Sequence, residues 1–83
     1  MKTKDYGLMS LLICKGHTII KREVDSLNQV WFHFADTIEI QQLENAFYMN
    51  SVSVAILDFI TAQRNVKNLI NLTMKDEYEK TKK

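Results

Sequence analysis

The sequence predicts one α+β domain, built from a helix, an antiparallel β-hairpin and then two further helices. Three observations support this fold class. A chain of 83 residues has room for a single hydrophobic core. In the middle of the chain, side chains alternate with a period of two, which indicates a strand at residues 29–35. On both sides of that segment, apolar residues instead recur at the three- and four-residue spacing of helices.

The composition is that of an ordinary globular protein and narrows the classes of function. Hydrophobic residues make up 46% of the chain and charged residues 25%. The net charge of +1 argues against a strongly basic surface for nucleic acid. Cys14 is the only cysteine, so the chain forms no internal disulfide, and no apolar run reaches the ~20 residues of a membrane span. We therefore expect a cytoplasmic protein that does not enter the membrane.

The first helix is predicted over residues 3–15. Thr3 is suited to cap its N-terminus, and Gly16 stands where a left-handed residue commonly ends a helix. Gly7 lies inside this span, where it costs about 1 kcal/mol relative to Ala. We therefore expect either a later helix start or a close packing partner at Gly7.

Two strands are predicted over residues 18–24 and 29–35, and the short turn-forming connection between them predicts an antiparallel hairpin. On the second strand Val30, Phe32 and Phe34 share the face that we expect in the core. The opposite face carries Trp31 and His33, and its role is left open. Strict alternation along the first strand groups four residues on one face: Thr18, Ile20, Arg22 and Val24.

Two helices are predicted after the hairpin. Asp36, with Glu39 three residues later, is suited to cap the first of them, and Asn50 is suited to end it. Ser51 or Ser53 is expected to cap the last helix, whose apolar stripe extends to about residue 73.

These boundaries give a single compact domain at residues 1–73 and a charged tail, frayed helix or disorder, at residues 74–83. An isolated two-stranded hairpin is only marginally stable, so helices must cover it or a second chain must extend it. We therefore expect a homodimer in which two hairpins pair edge to edge across a two-fold axis. Such pairing would give a four-stranded sheet.

Three short segments together resemble a family of short phage and prophage proteins that is grouped as a domain of unknown function. They are Lys4-Asp5, Lys15-Gly16-His17 and Val30-Trp31-Phe32-His33-Phe34-Ala35-Asp36. The resemblance covers about residues 4–72. In the family the last helix tends to open near Asp-Pro, whereas Ser51-Val52-Ser53 stands there in this chain. The resemblance implies a phage or mobile-element origin and implies no catalytic residue.

The chain contains no recognisable arrangement for catalysis or metal binding. His17 and His33 are the obvious candidates, but neither has a second ligand at a zinc-binding spacing. Glu39 and Glu44 lie five residues apart on a helix and so do not share a face as an acid–base pair. There is no glycine-rich phosphate loop and no nucleophile-elbow motif. We therefore predict a protein that is not an enzyme and has no catalytic residue, metal site or cofactor.

The candidate interaction surface consists of Lys21, Arg22, Trp31, His33 and Tyr48. Aromatic residues with neighbouring cations are common anchors in protein interfaces. The resemblance to phage proteins implies a partner in the host cell. The leading hypothesis is therefore a protein that binds a host protein and inhibits a host defence complex such as a CRISPR nuclease.

Two other interpretations of the same residues stay open. In an accessory protein that binds nucleic acid, Trp31 and His33 would stack on bases while Lys21 and Arg22 contact phosphates. In a purely structural interpretation, a helix covers Trp31 and the basic residues are a solvated edge of the sheet.

Overall fold

The computed structural model describes residues 1–81 and confirms the α+β class. The order of elements is as predicted, except that a short strand precedes the first helix. The elements are β1 (Lys2–Thr3), α1 (Tyr6–Cys14), β2 (Lys21–Val24), β3 (Val30–His33), α2 (Ile38–Tyr48) and α3 (Ile56–Thr81).

The sheet has three strands instead of the two predicted, in the order β1-β3-β2. Both pairings are antiparallel, with Thr3 and Arg22 as the partners of Phe32 on either side of the central strand. Contrary to our expectation, Thr3 therefore does not cap α1. The Asp5 carboxylate caps this helix by accepting a hydrogen bond from Leu8 N at 3.0 Å. The extra strand covers one edge of the hairpin, so the sheet does not need a second chain to gain a third strand.

Strand β2 begins later than predicted because its start is bulged. Ile20 N donates to His33 O at 2.7 Å, while Lys21 is the residue paired with His33. Two residues therefore oppose one, which is the pattern of a β-bulge, and the alternation of faces changes at that point. As a result Ile19 packs against the core and Ile20 is 67% exposed, contrary to strict alternation from residue 18.

The core lies between one face of the sheet and helices α1 and α3. Val30, Phe32 and Phe34 are buried, as predicted, and helix α3 contributes Val66. Helix α1 supplies the largest share of the core: Leu8, Met9, Leu11 and Leu12. Leu8 to Leu12, the middle of this short helix, are all buried, so this part of α1 has no solvent-exposed polar face.

The residues expected at the helix C-termini are found there, whereas those expected at the N-termini, including Ser51 or Ser53 before α3, are not. Gly16 ends α1 with a φ of 88°, and Asn50 follows α2 with a φ of 55°. At the start of α2, however, Thr37 is the cap and accepts from Ile40 N at 3.2 Å. The predicted cap, Asp36, instead has its carboxylate 2.6 Å from the Met1 nitrogen.

Gly7 lies inside α1 and has the close packing partner that its presence in a helix suggested. A Cβ atom added there would lie 2.9 Å from Cζ of the Phe47 ring. Helix α2 thus approaches α1 at a position where only a hydrogen fits.

Helix α3 begins at Ile56 and continues to Thr81, past the predicted end near residue 73. Part of the predicted charged tail, residues 74–81, is therefore helical, while residues 82–83 lie outside the described residues. At 1.5 Å per residue, 26 residues span about 39 Å. The chain is accordingly elongated, with extents of 45 × 26 × 19 Å.

Candidate interaction surface

The sheet has one buried face and one face directed away from the core. Directly paired residues of an antiparallel sheet point to the same side. The registers therefore separate the side that carries Phe32, whose ring is fully buried, from the other side. We call this second side the outer sheet face; its residues are Lys2, Lys21, Glu23, Trp31 and His33.

Trp31 is held on the outer sheet face by contacts to its ring and to its nitrogen. The ammonium groups of Lys2 and Lys4 lie 4.9 and 5.5 Å from the ring centroid, within the range of cation–π interactions. The indole Nε1 donates to Asp25 Oδ2 at 2.8 Å. This bond is the main cause that lowers the pKa of Asp25, assisted by the backbone N–H of Gln29. Trp31 is therefore oriented by the hairpin turn and the N-terminal lysines.

His33, Glu23 and Lys2 form a charged cluster beside Trp31. His33 Nε2 lies 2.5 Å from Glu23 Oε1, and Lys2 Nζ lies 3.5 Å from the same oxygen. The hydrogen bond with His33 is the largest cause that lowers the pKa of Glu23, while its partial burial opposes the shift and Lys2 reinforces it. These contacts fix the imidazole against a carboxylate, so His33 is oriented by its neighbours on the sheet.

Tyr48, from the end of α2, lies next to this face and is 61% exposed. Its hydroxyl is 3.5 Å from Asp5 Oδ2. Burial, followed by the charge of Asp5, raises the pKa of Tyr48. A shallow depression of about 610 Å³ joins Tyr48 to Trp31, with Lys2 and Lys4 at its wall. We call it the Trp31–Tyr48 depression.

Arg22 is separated from the other candidate residues. It points to the Phe32 side of the sheet, and its Nη1 donates to Thr73 Oγ1 on α3 at 3.1 Å. The structure thus brings together Lys21, Trp31 and His33, places Tyr48 beside them, and leaves Arg22 on the opposite side.

The sequence did not indicate the roles of Lys2, Lys4 and Asp25 around Trp31. Asp25 could be interpreted only as a turn residue, because its bond to the indole depends on how the hairpin closes. Lys2 and Lys4 reach Trp31 through β1, a strand of two residues. Their alternation with Thr3 was the only available signal, and it is too short to distinguish a strand from a helix start.

Residues 1–81 contain no group of three or more histidine, cysteine, aspartate or glutamate side chains arranged to hold a metal ion. His17 Nε2 is buried without a hydrogen-bond partner in that range, and Glu39 Oε1 lies 3.5 Å away. Within the same residues, no helix combines the length and apolar character that crossing a membrane requires.

Comparison with known proteins gives a family and no described relative. No curated protein and no solved structure matches the chain. A family model described as a domain of unknown function, DUF5659, matches residues 1–72. This range contains the whole sheet, α1, α2 and more than half of α3. The chain therefore belongs to the DUF5659 family of uncharacterised proteins.

Proposed function

We propose that this protein acts without catalysis, by binding another protein through the outer sheet face and the adjoining Trp31–Tyr48 depression. One observation carries the proposal. Trp31, held by two lysines and the hairpin turn, borders the same depression as the exposed Tyr48. An oriented tryptophan and an exposed tyrosine with cations at their margin have the character of interface anchors.

The charges around the depression favour a partner with an acidic surface. Lys4 is exposed beside Trp31, and its ammonium group donates a hydrogen bond to the neutral side chain of Gln29 at 2.8 Å. Lys21 is exposed on the same face of the sheet. An acidic partner would gain charge-assisted contacts with these lysines, and electrostatic attraction would accelerate its association.

The partner class that we propose is a host protein, with the chain acting as an inhibitor of a defence complex such as a CRISPR nuclease. The support for this choice is the resemblance to short phage and prophage proteins, on which we also base the proposal of a phage origin. A protein of this size that acts without catalysis can block a larger complex by occupying one of its surfaces. The action would take place in the cytoplasm of the host cell.

Affinity capture from a lysate of the host cell tests the proposal. The tagged chain is expected to retain a specific protein, and Tyr48→Ala is expected to reduce the captured amount at least tenfold. Tyr48 is suited to this test because it is largely exposed and its hydroxyl contact with Asp5 is long. Its loss should therefore leave the fold intact, which circular dichroism would verify.

Tyr78→Ala is the matched control, since Tyr78 is 63% exposed and lies on α3, outside the proposed surface. It should capture the partner as the wild type does. Equal capture by the Tyr48→Ala variant would contradict the proposed surface. Recovery of nucleic acid alone would contradict a protein partner.

A second candidate function, binding of single-stranded nucleic acid, is favoured by the lysines near Trp31. Lys2, Lys4 and Lys21 could contact successive phosphates, with a base stacked on the indole. Against it, lysine ammonium groups already lie over the ring, and the carboxylates of Glu23 and Asp25 border the same face. Binding of single-stranded DNA that weakens steeply with salt and with Lys4→Glu would support this function.

A further inference from the structure

Strand β2 lies at the edge of the sheet, and some of its backbone N–H and C=O groups point away from β3. Asp25 N donates to Gln29 O at 3.0 Å, so the backbone groups of Asp25 face β3. Because N–H and C=O groups of an antiparallel strand alternate in direction, those of Arg22 and Val24 face away from β3. The same alternation holds on the other side of β3, where Phe34 N faces β1 and donates to Met1 O at 2.8 Å. The sheet order within residues 1–81 leaves these outward groups without a neighbouring strand.

An open groove follows this edge. It has a volume of about 530 Å³ and separates β2 from the C-terminal half of α3. Its apolar residues include Ile19, Ile20 and Leu69, and Ile20 is 67% exposed. The groove therefore leaves open space and some apolar side chains next to the outward backbone donors and acceptors of β2.

The other edge of the sheet is less suited to pairing. Strand β1 has two residues, and Asp5 caps α1 immediately afterwards. Asp5 N donates to Thr3 Oγ1 at 3.0 Å, so the chain turns away from the edge. Very short edge strands offer few groups to another chain.

We infer that β2 pairs with β2 of a second copy, antiparallel across a two-fold axis centred on Arg22, to form a continuous six-stranded sheet. This inference does not rest on the proposed function, although Lys21 takes part in both. In this register unlike charges are opposite each other on the outer sheet face. Centred on Arg22, each Lys21 on the outer sheet face is directly opposite Glu23 of the second copy. Centred one residue later, the two Glu23 side chains would oppose each other, which is unfavourable.

The two Arg22 side chains lie opposite each other at the axis, and contacts within each chain reduce their repulsion. Each guanidinium is drawn towards α3 of its own chain by the hydrogen bond to Thr73. Asp76 and Glu77 line the same groove and supply negative charge on that side of the sheet. Charged residues on an edge strand commonly prevent strand pairing. Here the two Lys21–Glu23 pairs would offset the repulsion between the Arg22 side chains at the axis.

Sedimentation equilibrium of charge variants tests this inference. The wild type should dimerise at tens of micromolar, and Lys21→Glu should raise the dimer dissociation constant by about tenfold or more, because it replaces two attractive cross-strand pairs by repulsive ones. The double variant Lys21→Glu/Glu23→Lys restores both pairs with reversed signs. It also removes the contacts of Glu23 with His33 and Lys2, so its fold is first verified by circular dichroism. The folded double variant should recover most of the affinity. Lys67→Glu, the same change on an exposed part of α3, should leave the dissociation constant unchanged.

Amide hydrogen exchange distinguishes this dimer from one formed by another surface. The amides of Arg22 and Val24 should exchange more slowly as protein concentration rises through the dissociation constant. A monomer at tens of micromolar would overturn the inference. So would a dimer in which these two amides stay unprotected, or a double variant that associates as weakly as Lys21→Glu.

Discussion

At the scale of single residues, the outer sheet face concentrates its titratable groups around Glu23. Its hydrogen bond with His33 holds the pKa of Glu23 below the ordinary value of 4.5. A carboxylate with a lowered pKa in the folded state stabilises the fold above its unfolded pKa. That contribution is lost as the pH falls from about 4.5 through the lowered value, because the unfolded chain takes up the proton first.

We therefore expect the stability difference between wild type and Glu23→Gln to shrink as the pH is lowered from about 6 to about 3. Urea denaturation at a series of pH values measures it. Glu79→Gln, which removes a carboxylate from an exposed position on α3, is the matched change of charge. A difference that stays constant over this range would mean that the Glu23–His33 contact does not contribute to folding stability.

The core residues of β3 could be predicted from the sequence, whereas the surroundings of Trp31 could not. Val30, Phe32 and Phe34 follow from alternation and burial alone, which are local properties of the chain. The ring of Trp31 instead meets Lys2, which lies 29 positions away in the numbering and reaches it through a long-range pairing. No periodicity within a short window carries that information.

At the scale of elements, the hairpin connection depends on a residue with a left-handed backbone. Asn28 has a φ of 60°. Its N–H donates to Asp25 O at 3.1 Å, and the Asp25 side chain accepts from Leu27 N and Gln29 N, both at 2.9 Å. Asn adopts this conformation at a lower cost than residues such as Ala.

Replacing Asn28 by Ala should destabilise the protein by about 1 kcal/mol, because an L side chain without a local hydrogen-bonding group is strained there. Asn28→Gly should change the free energy of unfolding by only a few tenths of a kcal/mol, since Gly adopts positive φ without steric cost. Equilibrium denaturation of the two variants measures the difference. Equal losses in both would show that the Asn28 side chain, and not its backbone conformation, matters.

The elements themselves were predicted better than their ends. Gly16 and Asn50 stop their helices because few residues tolerate positive φ, and such positions can be recognised locally. The predicted caps at Thr3 and Asp36 were wrong because both residues have other contacts. Thr3 lies in β1 and pairs with β3, and the Asp36 carboxylate accepts a hydrogen bond from the Met1 nitrogen. A residue with cap-forming chemistry can equally serve a strand edge, and tertiary contacts decide between the two.

At the scale of the whole molecule, the length of α3 makes the chain more extended than its size requires. Its radius of gyration is 13.5 Å, compared with about 12 Å expected for a compact domain of this length. The buried residues of α3 are confined to its first two thirds, where Ala62, Val66 and Thr73 lie. Beyond the partly buried Met74, the described helix contributes mainly charged residues to the groove beside β2.

A chain shortened after Met74 should therefore keep its fold but lose part of that groove. The core residues and the Arg22–Thr73 hydrogen bond remain, so the free energy of unfolding should fall by less than about 1 kcal/mol. Asp76, Glu77 and Lys80 are removed from the groove, and the two Arg22 side chains of the inferred dimer lose the carboxylates beside them. Dimerisation should accordingly weaken in the shortened chain.

Urea denaturation and sedimentation equilibrium of the same shortened protein separate these two effects. Retained folding with weaker association would place the limit of the compact domain near residue 73 and assign the last part of α3 to the interface between copies. A loss of several kcal/mol would show that the C-terminal turns of α3 stabilise the monomer, since only packing or buried networks yield changes of that size. Retained folding with unchanged association would instead show that the carboxylates of Asp76 and Glu77 do not offset Arg22 at the axis.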